Sequence, residues 1–395
     1  MADAVPIQRL RRLLVLLPST RLGGTERHTL EAAARLGARG LGVTLAADPA
    51  LLAELAVALP AGWPAPTLLP AAIGWQEESP ADLAAARQAA GCAALLAELA
   101  RLRATPDAVL LALPWPNAGL GLQRALAAGG LPRLLLLHLA ADGPIPDGIE
   151  AMRPALGLAA TQFAAVSAPL ARRAARAFGL AETAVTVLPN PAPAAAPLDR
   201  AQQRRSIRQM LGLGAGARLV LFLGRLEEAK GADLLPAISE RLPVTLACAG
   251  DGPLRGLLAA RATGDPRGLL RVLGPLADPA PWLAGADALI LPSRLEGAPL
   301  VFLEAAAQRC PVVATAAALE ALGAEAHHLA RVVEAPDPTR LAAATVGLLA
   351  DPAGAAAMVE AAASHAAARH WPAAIEGLLG LLRAAMLHQS KERMA

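Results

Sequence analysis

The chain has 395 residues, 55% of them hydrophobic, with 36 basic and 33 acidic side chains and a net charge of +3. That length predicts two domains rather than one. Charge is spread thinly, aromatics make up 2% and tyrosine is absent, which leaves no basic stripe interleaved with stacking rings and argues against a nucleic-acid partner. Much of the apolar content is alanine, and the charge-free stretch from Leu55 to Gln76 carries four prolines, so it does not read as a spanning helix. Pro154 to Ala171 is interrupted by Gln162, Ser167 and Pro169. The opening Met1-Ala-Asp-Ala-Val-Pro lacks a secretory pattern. Cys92, Cys248 and Cys310 lie far apart and form no metal-ligand pair, which fits a reducing compartment. The expectation is a cytoplasmic protein. The run Arg9, Arg11 and Arg12 suits a solvated strand entrance, or peripheral contact with anionic lipid at the inner membrane face.

In chain order, Leu13 to Leu17 reads as a buried strand. It is followed by a turn holding Gly23 and Gly24, then a helix to about Leu36. Strand, glycine turn and helix form the architecture of a phosphate-approach loop, with Thr25 expected as the helix N-cap. Gly42–Ala46, Ala108–Ala112 and Leu134–His138 read as further strands separated by Ala-rich helices, which implies a parallel, doubly wound sheet. His138 ends its strand where an open α/β sheet presents residues to ligands, although a lone histidine is more often structural. Phe163–Ser167 and Val185–Asn190 extend the pattern. Asn190 to Pro197 is rich in proline and alanine and reads as the linker.

The second half opens on Leu219-Val-Leu-Phe-Leu-Gly224-Arg225-Leu-Glu-Glu-Ala-Lys230-Gly231. A strand ends in glycine and two cations follow; Arg225 offers a planar fork and Lys230 a point charge for a diphosphate. The chain holds only two lysines, Lys230 and Lys391, against 34 arginines, so a lysine at this position points to a geometric requirement. Val244–Ala249 and Leu270–Gly274 read as strands, with a Gly250-Asp-Gly-Pro253 turn between them. The apolar run Ala288–Leu291 is another.

The most informative stretch follows: Pro292-Ser-Arg-Leu-Glu296-Gly297-Ala298-Pro299-Leu300-Val-Phe-Leu-Glu304, with seven residues between the glutamates. Pro299 disfavours helix at Ala298, so a helix starts there, with Glu296 in the loop above it and Glu304 more than one turn inside. On continuous helix the carboxylates would stand about 12 Å apart; with one on a folded loop they can bracket an extended ligand. Each carboxylate accepts two hydrogen bonds at once, which suits the diols of a sugar or ribose. The free N–H groups of the loop and the helix dipole favour an anion. Two glutamates alone are more simply read as solvated side chains.

The whole string changes that reading. P-S-x-x-E-G-x-P-L-x-x-x-E-A, followed by Pro311-Val-Val-Ala-Thr315, resembles the donor motif of family 4 retaining glycosyltransferases, and Gly224–Gly231 resembles the family's G-R-L-x-x-x-K-G. Gly23-Gly24-Thr-Glu26 resembles its N-terminal G-G-x-E loop. The resemblance covers nearly the full length and implies a GT-B fold: two Rossmann-like, doubly wound α/β domains facing across a cleft. The expected limits are an acceptor domain at 1–190, a linker at 191–202, a nucleotide-sugar domain at 203–370, and a last helix, 371–395, crossing back to the first domain.

The resemblance also implies roles. Glu304 would hold the ribose. Glu296, with the loop at Gly297, Ala298, Pro299 and Leu300, would hold the transferred sugar. Gly224, Arg225 and Lys230, with Gly23 and Gly24, would take the diphosphate, and the base would pack along Val272. His138 would face the sugar, and transfer would retain anomeric configuration. On this assignment, removing Glu296 leaves binding of the free nucleoside diphosphate unchanged. No D-x-D cluster is present to hold a metal, and no cofactor is expected beyond a UDP- or GDP-sugar acting as substrate. Three departures stand out: Pro191 replaces a glycine after Asn190, Arg309 replaces a glycine at a helix end, and Ala316-Ala-Ala-Leu-Glu320 replaces a glycine pair. They leave open a non-catalytic sugar-nucleotide-binding relative; a sugar-nucleotide epimerase on the same fold is a separate alternative, against which the uninterrupted motif strings argue. The acceptor is not legible.

Overall fold

Leu13, Leu14, Val15 and Leu16 are each at most 1% exposed. A run apolar at every position, rather than at alternate ones, requires a strand covered on both faces, as in a parallel sheet sandwiched by helices. The computed structural model describes residues 10–59, 62–76, 79–153, 160–193 and 197–392. Arg9 of the basic run and positions 194–196 of the expected linker lie outside the described residues.

The chain divides into two units, one comprising Met1–Pro189 with Pro372–Ala395, the other Asn190–Trp371. Among the described residues the first contains seven strands: β1 (Arg12–Leu16), β2 (Gly42–Ala47), β3 (Thr67–Pro70), β4 (Ala108–Leu113), β5 (Arg133–Leu137), β6 (Thr161–Ala165) and β7 (Val185–Val187). All pair in parallel, in the order β3-β2-β1-β4-β5-β6-β7. The order reverses between β1 and β4, so the crevice of this sheet opens where the Gly23–Gly24 turn leaves β1. β3 was not expected from the sequence. It is a short edge strand among prolines, and its pairing with β2 supplies the order that its composition does not.

Of the described helices, Ala81–Arg101 is long and apolar enough to cross a membrane by length and composition. In this unit one face of it packs on the helix Leu120–Ala128, and its buried Gln88 donates to the carbonyls of Ile73 and Ala118 at 2.9 and 2.7 Å. The last helix, Trp371–Glu392, buries Ile375, Leu378, Leu379 and Leu382. From Pro372 onward it belongs to the first unit. Arg39 pairs with Glu376 at 2.7 Å, and a Cβ on Gly377 would stand 2.5 Å from Leu188, so the helix can lie this close only without a side chain there.

The second unit contains β8 (Leu219–Leu223), β9 (Thr245–Ala249), β10 (Leu270–Gly274), β11 (Ala288–Leu291), β12 (Val312–Thr315) and β13 (Arg331–Val333). The parallel order is β10-β9-β8-β11-β12-β13. The reversal falls between β8 and β11, and Asp287 holds that junction. Its carboxylate accepts from the Leu219 N–H at 2.7 Å and from Arg208 at 2.6 Å, while its own N–H donates to the Leu219 carbonyl at 2.8 Å. Two apolar layers flank this sheet, one around Phe302 and Leu303, the other around Phe222 and Ile238. Each buried leucine or phenylalanine contributes on the order of 2 kcal/mol.

Candidate functional site

The loops leaving β8 and β11 meet at the reversal point of the second sheet. Gly224 follows β8, and the chain turns through a short 3-10 segment, Glu228–Lys230, into Gly231 at φ 71°. A Cβ on Gly231 would stand 2.2 Å from the Pro292 carbonyl oxygen, so glycine is required both for the left-handed backbone and for the approach. Arg294 N–H donates to the Ala229 carbonyl at 2.8 Å, and Arg294 pairs with Asp233 at 2.6 Å. The two loops are thereby stitched together, and Lys230 is brought beside Glu296. Its Nζ lies 2.7 Å from Glu296 Oε2, while Ser293 Oγ donates to Oε1 at 2.9 Å. The Lys230 and Glu296 side chains are 22% and 12% exposed.

The rest of the Glu296 loop is fixed from two sides. Asn190, 5% exposed, donates through Nδ2 to the Ala298 carbonyl at 2.9 Å. Thr315, fully buried, donates through Oγ1 to the Ser293 carbonyl and accepts from the Ala318 N–H at 3.1 Å. Gly297 and Pro299 are buried, and Pro299 is the N-cap of the helix Leu300–Ala307. The helix start is as the sequence predicted. Glu304 lies on its fifth residue, half-buried. Arg225 is exposed and pairs with Glu227 at 2.7 Å, so it is not drawn into the Lys230–Glu296 pair. Val272 lies half-buried on the edge strand β10, where the register with β9 shifts between Val272 and Gly274.

Gly23, Gly24 and His138 belong to the first unit. The helix there is Gly24–Ala38 and its N-cap is Gly23, extended at φ −146°, not Thr25. Thr25 is instead inside the first turn, because the glycine pair lets the backbone enter the helix earlier and no side chain caps it. Glu26, 4% exposed, accepts a hydrogen bond from Ser19 Oγ. His138 follows β5, its N–H donating to the Leu113 carbonyl at 2.9 Å. Its ring stands edge-on to His28, centroids 5.3 Å apart. Burial, and secondarily His28, push the His138 pKa well below the usual imidazole value; burial lowers that of His28 to about 4. Both rings are neutral near pH 7, so His138 can exchange hydrogen bonds with a polar ligand but brings no positive charge.

From sequence alone, Ser293, Asn190, Glu26 and His28 carry no evident role. Asn190 was visible only as the end of a strand motif, and Ser293 only as a letter in the donor string. A cavity of about 560 Å³ lies away from these loops, lined by Pro236, Ser239, Ala260, Arg261, Asp265 and Arg267. It sits where the chain enters β9 and β10, the sheet edge opposite to the one where open α/β folds carry ligands.

Two parallel α/β sheets of seven and six strands, each with helices between strands, are the units of the GT-B fold. Residues 22–195 match the family described as Glycosyltransferase Family 4, and residues 217–351 that described as Glycosyl transferases group 1. The chain belongs to the family 4, group 1 glycosyltransferases. It is 32% identical over 263 residues to D-inositol 3-phosphate glycosyltransferase 1 of Catenulispora acidiphila, a match covering 62% of each chain. With the D-inositol 3-phosphate glycosyltransferase of Thermobispora bispora it shares 32% over 195 residues, 44% of this chain and 45% of the relative. The matched region thus spans under two thirds of the length of these curated relatives. Among solved structures, Anabaena HepE in complex with UDP-glucose superposes with a TM-score of 0.73 at 20% identity, covering 94% of this chain and 99% of that one. A glycosyltransferase from Rickettsia africae superposes at 0.73 and 16%, covering 96% and 99%.

Proposed function

We propose that the chain transfers a sugar from a nucleoside diphosphate donor, UDP- or GDP-linked, to an acceptor hydroxyl with retention of anomeric configuration. The observation that carries this is the convergence of Lys230 and Glu296, from two loops, at the reversal point of the second sheet beside a helix start. A Lys ammonium there suits the diphosphate, and Glu304 on the helix suits the ribose diol. Glu296 and the Gly297 and Ala298 N–H groups suit the sugar hydroxyls. The carbon–oxygen bond to the diphosphate breaks, the acceptor oxygen bonds to the same face, and the leaving phosphate takes the acceptor's proton. Positioning and leaving-group electrostatics carry the rate, with no protein nucleophile. That HepE was solved with UDP-glucose supports a nucleotide-sugar donor, and such donors make the cytoplasm the expected site of action.

The test is to incubate the protein with UDP-glucose, UDP-N-acetylglucosamine and GDP-mannose and assay release of nucleotide, with and without millimolar EDTA. At least one donor is expected to support slow hydrolysis that EDTA leaves intact. Product epimers instead of free nucleotide would establish the epimerase reading. A thermal shift with a donor but no release would establish a non-catalytic binding subunit, and activity lost to EDTA and restored by Mg²⁺ would overturn metal independence.

A further inference from the structure

Lys230 and Glu296 form an ion pair at 2.7 Å, and the pair is built in. Gly231 against Pro292, Arg294 N–H to the Ala229 carbonyl and the Arg294–Asp233 bridge hold the two loops together. Ser293 Oγ fixes the carboxylate from its other oxygen. These contacts fix the spacing of the two loops, and Glu296 cannot swing away without losing its Ser293 bond. An arriving diphosphate therefore meets a cation whose charge is already offset by a carboxylate 2.7 Å away. The ammonium has three N–H donors, and one of them is directed at Glu296.

We propose that Glu296 sets how tightly the site holds the free nucleoside diphosphate, acting as a fixed counter-anion to Lys230 that keeps the product from being retained. This rests on the reading of Lys230 as the diphosphate cation. The same carboxylate has opposite effects at two points of the cycle. While the sugar-phosphate bond breaks, positive charge grows on the sugar, and a nearby carboxylate favours that state. Once the sugar has left on the acceptor, only its repulsion of the diphosphate and its hold on Lys230 remain, and both promote release. Where product release limits turnover, such an anion raises the rate. Removing Glu296 would then tighten free-nucleotide binding, not leave it unchanged as expected from the sequence.

The experiment is calorimetric titration of the full chain with UDP and with GDP, the tighter of the two serving as the probe. Variants are Glu296→Gln, which keeps the shape and the Ser293 bond but removes the charge, Glu296→Ala, and Lys230→Met. Two charges a few ångströms apart in a partly buried site interact strongly enough that both Glu296 variants are expected to bind the nucleotide about threefold or more tighter than wild type. Product inhibition should strengthen to match. Lys230→Met is expected to weaken binding about tenfold. A merely structural Glu296 would weaken binding when removed, not tighten it. If Lys230→Met weakens binding while neither Glu296 variant tightens it, the counter-anion role falls and the donor-site reading stands. If Lys230→Met leaves binding unchanged, both fall together.

Discussion

His28 and His138 show at the scale of single residues what burial does to a titratable pair. Their rings lie 5.3 Å apart, and each is 7–8% exposed. Folding holds His28 at a pKa of about 4, whereas the unfolded chain restores about 6.5. Below pH 6.5 the unfolded state binds a proton that the folded state refuses. The stability contributed by the neutral ring is therefore complete above pH 6.5 and is lost as pH falls from there toward 4. At pH 5 the loss from His28 should be on the order of 2 kcal/mol. Urea unfolding at pH 7.5 and pH 5 should show a clear gap for wild type, and a gap smaller by about that amount for His28→Phe. An equal gap in both would mean that His28 is charged or solvated in the folded chain. Lys230 differs, because its sequence context already set it apart. It is one of two lysines among 36 basic residues, and it sits after a strand-ending glycine. Nothing in the sequence set Ser293 or Asn190 apart in this way, since each acts through a contact with a residue distant in the chain or on a folded loop.

The helix Leu300–Ala307 decides the geometry at the scale of an element, and both its ends repay attention. Its start follows from Pro299. Its end places Arg309 at φ 55°, a left-handed backbone that suits the glycine the family resemblance puts there. Cys310 N–H returns to the Ala305 carbonyl at 2.8 Å and Arg309 N–H to Ala306 at 3.0 Å, closing the helix. A side chain in this conformation costs about 1–2 kcal/mol. Arg309 recovers part of that through an exposed pair with Glu360, worth about 1 kcal/mol or less. Chemical denaturation should therefore rank the variants Gly above Arg above Val at this position, with a span between Gly and Val of about 1–2 kcal/mol. Arg309→Val as stable as wild type would show that the left-handed turn is not held. The missing glycine pair after Thr315 has a different outcome. Ala316 takes ordinary helical angles, φ −57° and ψ −39°, and Thr315 Oγ1 accepts from the Ala318 N–H. No left-handed residue is needed there, so alanine fits.

At the scale of the whole molecule, the first unit is discontinuous in sequence. It draws its last helix from beyond the second unit. Ile375, Leu378, Leu379 and Leu382 of that helix are each at most 4% exposed. At roughly 1.5–3 kcal/mol apiece, their joint loss is comparable to the entire stability of an ordinary domain, about 5–15 kcal/mol. A chain truncated after Trp371 should lose the melting transition of the first unit while the second still unfolds cooperatively. Scanning calorimetry reads this directly. Two intact transitions in the truncated chain would show that Met1–Pro189 is self-sufficient.

The sequence by itself determined what depends on local physics. Apolar runs without alternation gave buried parallel strands, Pro299 gave the helix start, and Gly224, Lys230, Glu296 and Glu304 stood out by their strings. It also carried the family resemblance. It missed β3 and β13, because short edge strands take their order from a neighbour rather than from their own residues, and it placed the N-cap at Thr25 where the backbone of Gly23 serves. Only the tertiary structure decided that Lys230 and Glu296 form a pair, that Asn190 and Thr315 hold the loop between them, and that His28 backs His138. Each of these joins residues brought together by packing of separate loops and strands. Their energy arises from desolvation and from distances of a few ångströms, neither of which exists along an extended chain.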